Sequence, residues 1–415
     1  MNMTDRIQRP SVKQLLLLGL TAAFLILLTV MVLQMASGLE ELEGRIRYFI
    51  LLMGADVLCL MLLSGYSMMT GANIQTFICA VSVLFGIGSC YQFLFDSYLK
   101  QMGMVMMGLI AGGIVCCFWR RRNGMTDRLF YCVLGCIGGL LALMMLNMVF
   151  GKPVNGAYIS IDIFGVFTLQ PAELVKILLI LLGACSYRSM KRSVLYSIAA
   201  MASCVMMLLT RDLGSAVVTF AMFVLMTYLL FDNRVLSLSI IAVALVGFVV
   251  LIKVMDHAAE RFTNWTNVME IADATQQQGY IKAVLYGGFS GLGLENSHYM
   301  TGVVAAKHDG ALAGVMAVYG VPMAMVTLAA YAVMVVQTAF NRSVYPSNYM
   351  ILSQISMFIF CQVILNVCGA LDVLPFTGLV APLISHGGTA ALTFGVMLGL
   401  EAAALYPAVE TMKEE

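Results

Sequence analysis

Twelve blocks of about twenty mostly apolar residues, each long enough to cross a bilayer, constrain this chain more than anything else in it. They run over residues 14–35, 48–70, 74–95, 101–119, 129–150, 171–187, 193–210, 213–231, 235–255, 310–337, 347–371 and 386–406. In hydrocarbon every backbone N–H and C=O must be satisfied internally, which leaves helices as the solution for runs of this kind. The expected fold class is therefore all-α, a polytopic integral membrane protein of about twelve transmembrane helices in one membrane domain, 1–415. Composition agrees: 61% of the 415 residues are hydrophobic and 11% charged. A soluble domain sits near half apolar and about a quarter charged. Soluble enzymes and disordered scaffolds are excluded. A net charge of +1 argues against a polyanionic partner, so no nucleic acid is expected.

The first block follows Arg6, Arg9 and Lys13, exceeds a signal-peptide core and lacks a clear small-residue cleavage site. It is expected to remain a membrane helix. The 11 cysteines all fall inside apolar runs, where cysteine behaves as a small hydrophobe. The 33 methionines are scattered, which suits packing rather than metal binding.

Lys and Arg orient the chain, because basic loops stay cytoplasmic. With the N-terminus inside, thirteen basic residues fall in inner segments and five in short outer loops. Both termini are then cytoplasmic, and the long loop 256–308 is extracellular. That loop carries Asp256, Glu260, Arg261, Lys282, Glu295, Lys307 and three of the four histidines, His257, His298 and His308. A reaction site is expected on this outer side.

Five segments could carry chemistry. Gln170-Pro171-Ala172-Glu173-Leu174-Val175-Lys176 places Pro171 at a first helical position and Glu173 in a first turn, where the helix dipole favours an anion. Lys176 shares its face. The pair is either a local ion pair or a cavity-lining one, since ionised groups in membrane helices are costly and face cavities or partners. Asp212, in Arg211-Asp212-Leu213-Gly214, suits a helix cap. Gly287-Gly288-Phe289-Ser290-Gly291-Leu292-Gly293 is a glycine-rich turn without the lysine of a phosphate loop. Lys307-His308-Asp309 precedes the tenth block. Asp309 there is a cap, or a general base flanked by a cation and an imidazole. Finally, Leu374-Pro375-Phe376-Thr377-Gly378 and Pro382 through Thr389, with Ser385, His386, Gly387 and Gly388, break the helix between two spans. Broken backbone at membrane depth is tolerated only inside protein or along a cavity. Asp56, Lys253 and Glu401 are expected to be structural.

These segments, in this order, resemble the SEDS family (shape, elongation, division and sporulation), which includes FtsW, RodA and SpoVE. The resemblance covers roughly 150–406. It is most specific from Asn366 to Thr389, which follows the family's Asn, Leu-Pro-x-Thr-Gly and Pro-x-x-Ser-Tyr-Gly-Gly pattern without a gap. Gln170 to Lys176, Arg211 to Gly214 and Gly287 to Gly293 match its other motifs, and Asn155-Gly156-Ala157 sits where a further one begins. The chain departs at Ile159 and Ser160, where an Arg-Trp is usual, at Ala317 and Val318, where acids often stand, and at His386, in place of Tyr. Ten spans are usual in the family, so the first two here read as an N-terminal addition within a poorly matched 1–150, ahead of a 151–406 core.

The resemblance implies a peptidoglycan glycosyltransferase that polymerises lipid II at the outer face of the cytoplasmic (inner) membrane, in cell-shape, division or sporulation wall synthesis, with a class B penicillin-binding protein as partner. It makes Asp309 the catalytic aspartate. Glu173, Lys176 and Asp212 become cavity or substrate-binding residues, together with Lys307, His308, Ser385, His386, Gly387, Gly388 and Arg261. Pyrophosphate groups would lie near Lys307, Lys176 or Arg261. No cofactor or metal site is required by the sequence, though a divalent cation, Mg or Mn, could bridge pyrophosphate and a carboxylate. Two other readings suit a polytopic chain: a polyprenyl-linked lipid flippase or transporter, and a catalytically inactive scaffold for a penicillin-binding protein.

Overall fold

The computed structural model describes residues 11–36, 40–70, 74–121, 127–151, 157–163, 167–187, 189–231, 233–255, 265, 276–340 and 346–405. Five long helices come first: α1 (Val12–Ala36), α2 (Glu40–Thr70), α3 (Gln75–Gln92), α4 (Tyr98–Arg121) and α5 (Asp127–Phe150). A short antiparallel hairpin follows, β1 (Ile161–Ile163) with β2 (Phe167–Leu169), in which Asp162 stands opposite Thr168. Next come α6 (Pro171–Ser186), α7 (Met190–Leu209), α8 (Leu213–Leu230) and α9 (Arg234–Val254). The short α10 (Gln276–Gly287) and α11 (His298–Thr301) lead into α12 (Ala311–Phe340), α13 (Pro346–Ala370) and α14 (Gly388–Leu405).

Every expected apolar block is a helix, and the protein is a multi-pass membrane protein. Among the described residues, ten helices are long and apolar enough to cross a bilayer: α1–α5, α7, α8 and α12–α14. Of the two other expected blocks, α6 has 16 residues and α9 has 21. The segment 256–308, expected as a loop, folds in its described part into α10, α11 and a glycine turn.

Small residues set the closest helix contact. A Cβ on Gly108 of α4 would overlap the Ala391 carbonyl of α14, one on Gly112 the Gly395 carbonyl, and one on Gly399 the Gly112 carbonyl. In lipid, where burial of apolar side chains gives helices little reason to associate, such small-xxx-small seams let backbones meet and gain dispersion contacts. Leu25 of α1 and Met53 of α2 converge on Gly86 of α3, which seats the first two helices on the bundle. Of the isolated acids, Glu401 is fully buried and receives the Thr338 hydroxyl at 2.5 Å.

The glycine-rich turn repairs a break in α12. Pro322 has no N–H, and Gly320 adopts φ 84°, ψ 172°, so the helical ladder stops there. The orphaned Ala317 and Val318 carbonyls accept instead from Leu292 N–H (2.9 Å) and Gly293 N–H (3.0 Å), while Val321 N–H donates to the Phe289 carbonyl (3.0 Å). Gly287, Gly291 and Gly320 are glycines because a Cβ on each would overlap a backbone carbonyl of the opposing segment. Ala317 and Val318, noted as departures from the family pattern, are both buried in this repair.

Candidate active site

The C-terminal ends of α3 and α13 meet the N-terminal ends of α4, α6, α8, α12 and α14 around one irregular segment, residues 371–387. Its backbone includes positive φ at Asp372, Gly378 and Leu383. Side chains from the surrounding helices satisfy its carbonyls one after another. Asn366 donates to Leu379 O, Gln362 to Val380 O (2.9 Å), Tyr331 to Pro382 O, Gln92 to Ile384 O (2.7 Å) and Gln101 to Ser385 O (2.9 Å). Gln101 also accepts from Gly387 N–H at 3.1 Å, and Ser385 Oγ accepts from Ala381 N–H at 2.7 Å. This is how broken backbone is tolerated at membrane depth: the main-chain carbonyls of Leu379, Val380, Pro382, Ile384 and Ser385 find side-chain partners in protein.

Asp309 stands where this segment meets α12. The helix begins just after it: Gly310 O accepts the first helical bond from Gly314 N–H at 2.8 Å. Asp309 Oδ1 receives Gln276 Nε2 of α10 at 3.3 Å, and the Tyr280 hydroxyl, which donates to Val304 O at 3.0 Å, lies 3.5 Å from the same oxygen. Burial, and then the Asp309 charge, push the Tyr280 phenol far above its ordinary range, so it stays a protonated donor. Oδ2 faces Gly378, where even a Cβ would approach to 3.4 Å. Asn366 Nδ2 holds the Asp309 main-chain carbonyl at 2.9 Å. The carboxylate is thus half-buried, at a helix N-terminus, with its backbone pinned and Oδ1 held by Gln276.

Lys307 and His308 lie against the same segment. The Lys307 carbonyl accepts from His386 N–H (2.6 Å) and Gln92 Nε2 (3.1 Å), while its ammonium reaches Ser97 Oγ at 3.4 Å. His308 Nδ1 lies 2.7 Å from the His386 carbonyl. Burial lowers the His308 pKa, opposed by that bond and reinforced by Lys307. His386 is pushed down to about 4, first by burial and then by His308, Lys307 and Lys100.

Glu173 and Lys176 form a buried ion pair, Oε1–Nζ 2.6 Å, with the ammonium 5.3 Å from the Phe358 ring centroid. Lys176 is fully buried, so the outer-surface pyrophosphate contact considered for it does not match its position. Glu173 lines a cavity of about 20 Å³ with Gln101, Gln362, Pro382 and Ser385. That is room for one water among polar partners. Asp212 caps α8, its Oδ1 accepting from Ser215 N–H at 3.0 Å, and its Oδ2 accepts from Gln170 at 3.2 Å. Thr389, beside Gly388 at the start of α14, ties in the hairpin by donating to Thr168 O at 2.7 Å and accepting from Gln170 N–H at 3.2 Å.

Arg261, with Asn155 and Gly156, lies outside the described residues. Among the described residues no three His, Cys, Asp or Glu side chains gather to hold a metal ion. Sequence reasoning missed Gln92, Gln101, Gln276, Tyr280 and Gln362 as site residues. For Gln92, Gln101 and Gln362 the available signal was an amide inside an apolar run, which in a membrane needs a partner.

Comparisons with known proteins bear on this arrangement. The profile of the cell cycle protein family FtsW/RodA/SpoVE matches residues 76–406, starting in α3. A probable peptidoglycan glycosyltransferase FtsW of Tolumonas auensis is 30% identical over 63% of this chain and 72% of its own. The peptidoglycan glycosyltransferase RodA of Mycobacterium bovis is 25% identical over 72% of this chain and 68% of its own. In fold, the crystal structure of the rod shape determining protein RodA of Thermus thermophilus superposes with a TM-score of 0.56 at 21% identity, covering 80% of this chain and 96% of that one. A chain from a structure on polymerization and crosslinking by a peptidoglycan synthase complex gives 0.59 at 21% identity, covering 78% and 96%. With its motifs gathered at one end of the bundle and its profile match spanning most of its length, the chain belongs to the FtsW/RodA/SpoVE family of cell cycle proteins.

Proposed function

We propose that the chain is a peptidoglycan glycosyltransferase that polymerises lipid II, working at the outer face of the cytoplasmic membrane with both termini inside. The setting of Asp309 carries this reading. It is a half-buried carboxylate at the mouth of α12, its backbone fixed by Asn366, beside a lysine and two histidines suited to an anion. The names of the relatives, glycosyltransferases of FtsW and RodA type, support the same chemistry.

In the proposed reaction Asp309 accepts the proton of the acceptor's sugar hydroxyl. The hydroxyl oxygen forms a bond to the donor's anomeric carbon as the bond from that carbon to the diphosphate oxygen breaks. Polyprenyl diphosphate leaves with the electron pair, and the anomeric centre inverts. Lys307, assisted by the histidines, holds the diphosphate. An apolar groove of about 250 Å³ between α7 and α9, lined by Met201, Cys204, Leu208, Gly247 and Phe248, suits a polyprenyl tail. Glu173–Lys176 supports the site from behind the irregular segment. Helices α1 and α2 precede the profile match and are an addition to the family core of ten helices.

The partner is a class B penicillin-binding protein, as the synthase-complex neighbour suggests. Incubation of the purified chain with lipid II, with and without such a partner, tests the reading. Glycan strands whose length depends on the chain are expected. Lipid movement across vesicles with no glycan product would favour a flippase. Partner binding with no polymerisation by the pair would favour a scaffold.

A further inference from the structure

Two histidines meet at the site in a geometry that the proton transfer to Asp309 does not require. The His308 and His386 rings stand edge to face, with centroids 5.0 Å apart and planes at 80°. His308 Nδ1 faces a carbonyl, so it carries the proton, and Nε2 is the basic nitrogen of the neutral ring. His386 Nδ1 is buried with no hydrogen-bond partner. A buried imidazole nitrogen without a partner is costly, and it marks a ring waiting for a proton or a ligand.

The charged groups around the pair are predominantly cationic. Lys307 precedes His308, and Lys100 projects from the first turn of α4. Of the carboxylates, Asp309 is engaged by Gln276, and Asp96, in the α3–α4 turn, by Arg45. The phenols packed nearby are also engaged: Tyr91 donates to Ala306 O at 2.9 Å, Tyr98 pairs with Ser89 at 3.0 Å, and Tyr280 lies beside Asp309. Burial and then Lys307 lower the pKa of His308 against the pull of the His386 carbonyl, and burial, His308, Lys307 and Lys100 lower that of His386, so both rings favour the neutral form in the free protein.

We propose that His308 and His386 are a proton-loading clamp for the substrate's diphosphate, so that the chain takes up protons from water as it binds lipid II. The proposal rests on the reading that the site acts on a lipid diphosphate. A doubly negative group set among Lys100, Lys307 and the two rings favours their charged forms, which raises their pKa in the complex above that in the free protein. Binding then strengthens as pH falls below the complex's pKa and levels off below the free protein's, about 4 for His386. A diphosphate diester keeps its own charge constant across that window, so the pH slope belongs to the protein.

The test is calorimetric titration of the Asp309→Asn chain in nanodiscs with lipid II from pH 8 to pH 5, in two buffers of different ionisation heat. Binding about tenfold tighter or more at the acid end is expected, with net proton uptake. In the chain also carrying His308→Gln and His386→Tyr, the change across the same range falls below about twofold. A flat profile in the parent, equal heats in the two buffers, or an unchanged slope in the double histidine variant overturns the proposal. Should that variant fail to fold, the two-buffer comparison on the parent decides alone. No lipid II binding at any pH defeats the substrate reading itself. Binding with a flat profile defeats the clamp and leaves that reading standing.

Discussion

One amide, Asn366 Nδ2 on α13, donates both to the main-chain carbonyl of Asp309, at 2.9 Å, and to that of Leu379. It thereby joins the start of α12 to the irregular segment before α14.

Asn366→Leu keeps the volume and removes the donor. Two carbonyls then lose their partner, at a cost of about 1–3 kcal/mol for a buried unsatisfied group. An ångström of drift at a reacting group costs about 10²-fold in rate. Turnover of lipid II is expected to fall by about that factor while Tm drops by only a few degrees. Equal loss of folded protein and of activity would mean that Asn366 is structural alone.

Gly320, at φ 84° and ψ 172°, occupies backbone space open essentially to glycine, and a Cβ would overlap the Phe289 carbonyl. Gly320→Ala is expected to cost about 1–3 kcal/mol in strain, with further loss as Leu292 and Gly293 leave the α12 carbonyls. Gly19→Ala on α1, where a Cβ meets nothing within 4 Å, is the control and should leave thermal stability in detergent unchanged.

The Glu173–Lys176 pair is buried on both sides. Removing one partner strands a charge, so Lys176→Met is expected to cost about 3–5 kcal/mol. Adding Glu173→Gln should recover most of that loss. A double-mutant cycle of chemical unfolding in micelles reads the coupling, and additive losses would contradict it.

Gly112 lies against the Gly395 carbonyl in the α4–α14 seam. Gly112→Leu forces the helices apart and should abolish the cooperative melting of the purified protein. Phe118→Ala, at an exposed position on the same α4, should change stability by no more than about 0.5 kcal/mol.

The helices were legible because a bilayer leaves an apolar run only one way to satisfy its backbone. Lengths were less so: α6, with 16 residues, is short for a full span although it begins where its block does. The place of Asp309 at the start of α12 was legible from the Lys307-His308-Asp309 spacing at the head of an apolar block, its catalytic reading only from the family resemblance, and Asp212 from its capping pattern. The spacing of Glu173 and Lys176 foretold their contact but not that Lys176 would be sealed from the surface, since i,i+3 spacing fixes a face and not its depth. Gln92, Gln101 and Gln362 were illegible as a set. Each looks like an isolated amide in an apolar run, and their shared task, satisfying residues 379–387, exists only once three distant helices are brought together.

The most direct measurement is the rate at which purified Asp309→Asn chain polymerises lipid II, compared with the parent under the same conditions. With the isosteric amide unable to take a proton, the account predicts a fall of about 10²–10⁴-fold with the fold and the thermal midpoint retained. Near-parental polymerisation by that variant would contradict the assignment of Asp309 as the general base.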